Sequence, residues 1–313
     1  MKPGRNGVAG FTLIEMIVVM TVSAILAAVI GLNISRPIQG FIDTARRAAL
    51  VDAADLAASR VTREARLALP NSVRVTGGGT AVEFLRTRTG GRYRALDDPA
   101  NAATTNELAF IPPIDGIFDV ISALQGFTEI CASNPPNSCG GPAASTVACM
   151  QSPLLDCLVV YNTGQPANCA SPAPVRTNAY CGDNVAGIRV ANDGTGQIEY
   201  VHDGGVFPLA SPQQRFHIVD TPVSYICNIG ARTLTRYDSY PITPTQRTDI
   251  SAPPLPIANA RLVADNVIAC EFTYDPGTSS RAATIGISLT LSDPMAPNER
   301  VSMYRQAQVP NVP

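Results

Sequence analysis

The sequence of 313 residues has no tryptophan and only two histidines, His202 and His217. Lysine is nearly absent, since Lys2 is the only lysine among the 23 basic residues. Schiff-base chemistry and a lysine general base are therefore excluded beyond that residue. Neither histidine lies in a nucleophile motif such as Gly-x-Ser-x-Gly, and a catalytic triad requires both geometry and roles. We predict a protein that is not an enzyme, has no catalytic residue and needs no cofactor.

An excess of positive charge is also lacking. The formal net charge is -2 at pH 7, and no basic stretch dominates the chain. Proteins that bind nucleic acid commonly carry a basic patch or stripe. We therefore expect no nucleic-acid partner.

One long apolar run stands out near the amino terminus. Residues 11–32 contain a single charged side chain, Glu15. As a helix this run would be roughly 33 Å long, about the thickness of a bilayer's hydrocarbon core. Lys2 and Arg5 precede it, which favours a cytoplasmic amino terminus and places the rest of the chain across the membrane. A cleaved secretory signal has a shorter apolar region and an Ala-x-Ala-like site, which is missing here; a signal anchor with a snorkelling Glu15 remains the alternative.

The residues at the start of this run resemble the type IV prepilin signal. The order Gly10-Phe11-Thr12-Leu13-Ile14-Glu15 follows a short basic leader, as in that family. The resemblance implies that a prepilin peptidase removes residues 1–10, cutting between Gly10 and Phe11, and methylates the new amino terminus. It also implies that residues 11–32 are retained as a transmembrane helix. Glu15, the fifth mature residue, would then pair with the Phe11 ammonium group of a neighbouring subunit in a filament.

Eight cysteines lie beyond the apolar run, and their even number predicts disulfides in a translocated domain. They are Cys131, Cys139, Cys149, Cys157, Cys169, Cys181, Cys227 and Cys270. Eight cysteines allow about 105 pairings, and we predict that consecutive cysteines pair, from Cys131 with Cys139 to Cys227 with Cys270. Zinc is the competing interpretation, but there is no Cys-x-x-Cys motif.

Calcium is a minor alternative for the loops that carry acidic and amide side chains. These are Asp183, Asn184, Asn192 and Asp193. Their spacing is not that of an EF-hand, and we predict no metal site.

A second helix is predicted over residues 33–69, and Pro37 would either kink or break the helix. Two adjoining apolar stripes follow the helical period. The first consists of Ile38, Ile42, Ala45, Ala49, Ala53 and Leu56, and the second of Leu50, Ala54, Ala57, Val61, Ala65 and Ala68. The remaining face carries Arg46, Arg47, Arg60, Arg63, Arg66, Asp43, Asp52 and Glu64. We expect this charged face to be solvated, with partner binding as the alternative.

Beyond Pro70 the apolar period changes from helical to twofold, which predicts strands. Candidate strands are residues 72–76, 81–88, 92–96, 187–191, 197–202, 216–219, 223–229, 233–237, 267–274, 283–291 and 300–308. Residues 131–181 are rich in cysteine and in turn-forming residues, and they predict an insertion held together by disulfides. The predicted fold is α+β and pilin-like: a long amino-terminal helix packed on an antiparallel β-sheet head, residues 70–313, with this insertion.

Three further stretches are similar to the MshO minor pilins of MSHA-type pili. They are residues 37–41, residues 68–74 and the tail from Arg261 to Pro313. The resemblance implies a minor pilin that assembles into or primes a type IV pilus, with other pilins, a prepilin peptidase and an inner-membrane assembly platform as partners. It implies a single-pass inner-membrane protein with a periplasmic head, later part of the fimbrium at the cell surface. A J-type pseudopilin of type II secretion and a tip adhesin, in which the 131–181 insertion mediates cell adhesion, are the alternatives.

Overall fold

The computed structural model describes residues 10–76, 78–96, 105–112, 115–121, 144–165, 167–170, 175–192, 196–248, 259–278 and 281–313, with the backbone alone for residues 32–37. The chain divides into two compact units, Met1–Leu50 and Val51–Pro313. The amino-terminal unit is helical, and the second unit contains both sheets.

Helix α1 spans Leu13–Ala65, and Pro37 lies within it rather than ending it. In the second unit α1 buries one side, formed by Ala54, Ala57, Val61 and Ala65. These residues belong to the second predicted stripe, and their small side chains allow neighbouring backbone to approach closely. Leu56 of the first stripe is 69% exposed.

Helix α1 ends at Ala65, four residues before the predicted end, because the following backbone joins a strand. The Leu67 carbonyl accepts from the Thr87 amide at 2.7 Å, and the Leu69 amide donates to the Leu85 carbonyl at 2.8 Å. These bonds replace the helical ones that the apolar pattern alone would predict. The helix is thereby anchored to the sheet directly after its last turn.

A nine-stranded antiparallel sheet forms the larger part of the second unit. Its strands are β1 (Arg74–Val75), β2 (Ala81–Arg92), β3 (Ile117–Asp119), β4 (Cys157–Val160), β5 (Val185–Asn192), β6 (Gln197–Val201), β7 (Arg215–Asn228), β8 (Thr233–Tyr237) and β9 (Arg261–Ala264). The main order is β1-β2-β7-β4-β5-β6-β3, with β8 pairing β7 and β9 pairing β8. The predicted strands 187–191 and 197–202 correspond to β5 and β6, which pair antiparallel.

Strand β7 is central to this sheet, because it pairs with three other strands along its two edges. One edge pairs with β2 from Ile226 to Arg215. The other edge pairs first with β4 and then with β8. Pro222 lies between these two partners, where its missing N–H group costs no hydrogen bond. The sequence predicted two strands here, and the structure has one.

A three-stranded antiparallel sheet completes the second unit. It has the order β10 (Val267–Asp275), β11 (Ala283–Ser292), β12 (Arg300–Val309). The alternation predicted in β11 is observed, since Ile285, Ile287, Leu289 and Leu291 are all buried. These strands match the predicted ones because turn residues bracket each of them.

The sequence predicted that residues 131–181 form an insertion rich in turns and held together by disulfides. In the structure, this segment also contains a helix and a strand. Within it, helix α2 spans Thr146–Gln151, and β4 is a fully buried strand inside the nine-stranded sheet. Leu158 and Val160 belong to one core cluster, whereas Cys157 and Val159 belong to another. Both faces of β4 are therefore covered, which explains its continuous apolar sequence and its lack of alternation.

Three disulfides join the described cysteines: Cys149–Cys157, Cys169–Cys181 and Cys227–Cys270. They are the pairs that consecutive pairing predicts, and their Cα atoms are 5.3 to 6.2 Å apart. Cys227 lies in β7 and Cys270 in β10, so this disulfide links the two sheets. Cys131 and Cys139 lie outside the described residues.

Candidate functional site: the amino-terminal motif and apolar helix

Gly10 is exposed, and its lack of a side chain serves no packing purpose among the residues that the structure describes. A Cβ atom added there would meet nothing within 4 Å. By contrast, a Cβ on Gly187 would lie 2.5 Å from the Ser145 carbonyl oxygen, a contact that excludes any larger residue. The reason for glycine at position 10 therefore lies outside the fold.

Thr12 caps the start of α1. The Glu15 amide donates to the Thr12 carbonyl at 3.1 Å and to Thr12 Oγ1 at 3.4 Å, and the Met16 amide donates to the same carbonyl at 3.2 Å. Thr12-Leu13-Ile14-Glu15 matches the Thr-x-x-Glu order of a capping box, so the sequence itself contains a signal for this cap. The Glu15 carboxylate also lies in the first helical turn, where the macrodipole favours negative charge. Phe11, the residue just before the cap, is 77% exposed.

The first part of α1 has the length and composition of a membrane span. The candidate span is Leu13–Gly31, with a mean hydropathy of 2.6 and none of its surface buried within the protein. Within this stretch the Thr21 hydroxyl donates to the Ile17 and Val18 carbonyls, each at 3.0 Å. A hydroxyl group satisfied within its own helix is compatible with lipid.

The histidines lie in structural positions. His217 is in β7, where burial and the nearby Arg215 charge lower its pKa to about 4. Its imidazole is therefore neutral at pH 7. His202 Nε2 is 3.0 Å from the Asp183 carbonyl oxygen, and its ring packs edge-on against Phe207 at 4.9 Å.

Two of the four side chains predicted as calcium alternatives, those of Asp183 and Asn184, have protein partners. Arg176 Nε donates to Asp183 Oδ2 at 3.1 Å, and the side-chain Nδ2 of Asn184 donates to the Val160 carbonyl at 3.0 Å. Asn192 ends β5, and Asp193 lies outside the described residues. No group of three His, Cys, Asp or Glu side chains suitable for a metal occurs in the part of the chain that the structure describes.

The charged face of α1 is not wholly solvated, contrary to the prediction, because Glu64 is mostly buried. Its side chain is 15% exposed and accepts from Arg236 Nε and Nη2 at 2.7 and 2.5 Å. The Tyr225 hydroxyl also donates to it. Burial raises the pKa of Glu64, but the hydrogen bonds from Arg236 and Tyr225 outweigh it and hold the pKa below the usual value. Glu64 therefore fixes the end of α1 to β7 and β8.

An apolar amino-terminal helix followed by an antiparallel β-sheet head with disulfides constitutes an α+β, pilin-like architecture. Residues 5–31 match the family model described as the prokaryotic N-terminal methylation motif. This motif indicates a type IV pilin-like or pseudopilin protein, a structural class. It implies processing by a prepilin peptidase, assembly with other pilin-like proteins and membrane anchoring through the apolar helix. Searches of curated proteins and of solved structures gave no significant match.

Proposed function

We propose that the protein is a minor pilin of a type IV, MSHA-type pilus. A prepilin peptidase cleaves between Gly10 and Phe11 and methylates the new amino terminus. Residues 11–32 hold the subunit in the inner membrane with its head, residues 70–313, in the periplasm. The assembly platform then moves the subunit into a filament at the cell surface. The observation that carries this proposal is a capped helix that starts two residues after Phe11 and exposes its whole apolar surface over Leu13–Gly31.

The chemistry of this helix suits both environments in the proposal. Its apolar side chains pack equally well against lipid and against neighbouring helices. After cleavage, the Phe11 ammonium group would carry a positive charge next to a helix start that already favours anions. The Glu15 carboxylate of an adjoining subunit neutralises that charge. In a low dielectric such a pair fixes the register between subunits, because either charge alone is costly there.

The first test is the mass and amino-terminal peptide of the protein from cells with and without a prepilin peptidase. We expect a chain that begins at methylated Phe11 only when the peptidase is present. Replacement of Gly10 by valine should block cleavage without disturbing the fold, since the site has free space. Gly40→Val is the matched control, because Gly40 also has nothing within 4 Å. Retention of residues 1–10 with the peptidase present, or cleavage after the apolar run, would disprove the proposal.

A J-type pseudopilin of type II secretion is the second candidate, favoured by the large head with disulfides. The two candidates separate in a strain that carries both systems. Deletion of the gene should abolish or reduce pili in the first case and secretion in the second. A tip adhesin predicts normal pili but no adhesion. Its test must use point substitutions in 131–181, because deletion would remove the buried strand β4.

A further inference from the structure

A cavity of about 400 Å³ lies at the end of α1, within the second unit. We call it the basic pocket, and it is lined by Arg60, Arg63, Glu64, Leu67, Arg86 and Arg236. The first four come from α1 or the turn after it, Arg86 comes from β2 and Arg236 from β8. Four guanidinium groups thus face a single carboxylate.

Two of these arginines are already engaged. Arg236 binds Glu64 through Nε and Nη2, and its Nη1 donates to Asp238 at 2.5 Å. Arg86 binds Asp220 through Nε and Nη2, and its Nη1 is 3.7 Å from Glu64 Oε1. These contacts neutralise Glu64, Asp220 and Asp238, so no carboxylate of this network is left to neutralise a further cation.

Arg60 and Arg63 have no ion pair or side-chain hydrogen bond with any residue that the structure describes. They lie one helical turn apart and so share a side of α1. Even with Asp220 and Asp238 counted, the four arginines outnumber the carboxylates by one. Two guanidinium groups without an ion pair among the described residues therefore lie side by side at this cavity.

We propose that the basic pocket binds an oxyanion, a carboxylate or phosphate group, through the guanidinium groups of Arg60 and Arg63. A guanidinium fork matches the paired oxygens of such groups and forms charge-assisted hydrogen bonds with them. A concave site with excess charge of one sign also concentrates the opposite charge. Leu67 lines the pocket and is 52% exposed, so it offers an apolar contact to the carbon chain of a carboxylate ligand. The oxyanion is either a free anion or a side-chain carboxylate of another protein.

The first arm of the test measures binding of a free anion to the full processed chain in detergent. Urea unfolding is followed with increasing sodium phosphate, and separately sodium succinate, at constant ionic strength. An anion at ten times its dissociation constant multiplies the folding equilibrium constant about 11-fold. Phosphate also stabilises folded proteins in general by exclusion from their surface, so variants must isolate the site. We compare Arg60→Gln/Arg63→Gln with Arg66→Gln, which removes an exposed charge from the turn directly after α1 but outside the pocket.

If the free anion is the ligand, the stabilisation persists in Arg66→Gln and falls to the general effect in the double variant. The double variant should fold, because neither side chain has a partner to lose among the described residues.

The second arm tests a carboxylate from another protein. Cells produce the full chain with a photo-crosslinking amino acid at Leu67, and mass spectrometry identifies the crosslinked peptide. A peptide containing Asp or Glu, lost in Arg60→Glu/Arg63→Glu and retained in Arg66→Glu, assigns the ligand to a partner protein. The proposal would be overturned if anions stabilised Arg60→Gln/Arg63→Gln as much as Arg66→Gln in the first arm and the second arm gave no charge-dependent crosslink. Neither arm depends on the identity of the filament.

Discussion

Replacing Glu64 by glutamine tests whether the end of α1 is held to the head by a buried ion pair. The substitution keeps the shape but leaves the Arg236 guanidinium, whose side chain is only 5% exposed, without its bidentate partner. Breaking a buried pair on one side costs about 3 to 5 kcal/mol. Asp238 still accepts from Arg236, and the new amide oxygen accepts one bond. We therefore expect the free energy of unfolding to fall by about 2 to 3 kcal/mol.

Asp55→Asn is the matched control for this experiment. Asp55 also lies on α1 and pairs with an arginine of a strand, Arg305, but the two side chains are 43% and 42% exposed. An exposed pair contributes about 0.2 to 1 kcal/mol. Urea unfolding of the full chain can be followed by tyrosine fluorescence, because there is no tryptophan and all nine tyrosines lie from Tyr93 onward. The signal therefore reports on the head alone.

The pH dependence provides an independent measure of the same pair. The pKa of Glu64 is lower in the folded protein than in the unfolded chain, where it has its usual value of 4.5. Its contribution to stability is thus present above the unfolded pKa and is lost as the pH falls through the folded pKa. Glu64→Gln should lack this part of the acid dependence. If Glu64→Gln and Asp55→Asn cost the same within about 0.5 kcal/mol, the ion-pair argument is wrong.

Three further predictions concern single features of the chain. Replacing Cys227 and Cys270 by serine should destabilise the head by about 4 kcal/mol by the chain-entropy estimate, since they are 43 residues apart; urea unfolding measures it. The imidazole of His217 should titrate near pH 4 in proton–nitrogen NMR spectra, and a value near 6.5 would contradict its burial. Its neutral form stabilises the fold above the unfolded pKa, and this stability is lost as the pH falls from about 6.5 towards 4. Thr12→Ala should weaken the start of α1 by about 1 kcal/mol, whereas Thr12→Ser should not, as amide exchange in micelles would show.

Much of the fold follows from local sequence, and the exceptions have a common physical cause. Strands β10 to β12 alternate clearly and end at turn residues, so the sequence predicts them. Strand β4 is covered on both faces and has no alternation, which is why it resembles a short apolar piece of a loop. Likewise, β7 changes its pairing partner at Pro222. The apolar pattern is interrupted there, but the strand continues. In each case the missing information is a contact with residues distant in sequence.

The candidate site shows the same division. The candidate membrane span and the order of residues around Gly10 are evident from the sequence, and the Thr12 cap could have been found by the Thr-x-x-Glu rule. Glu64 could not, because its partners Arg236 and Tyr225 are more than 160 residues away. On sequence alone, Glu64 is indistinguishable from the exposed charges around it.

The Cys227–Cys270 disulfide has a mechanical consequence for a subunit that carries tension. Force that pulls the two sheets apart cannot extend the chain between these residues, which are 43 positions apart. A fully extended segment of that length would span roughly 150 Å. Under load, the oxidised head therefore extends roughly 150 Å less than the reduced head. Its last three strands stay attached to the larger sheet even when their hydrogen bonds break.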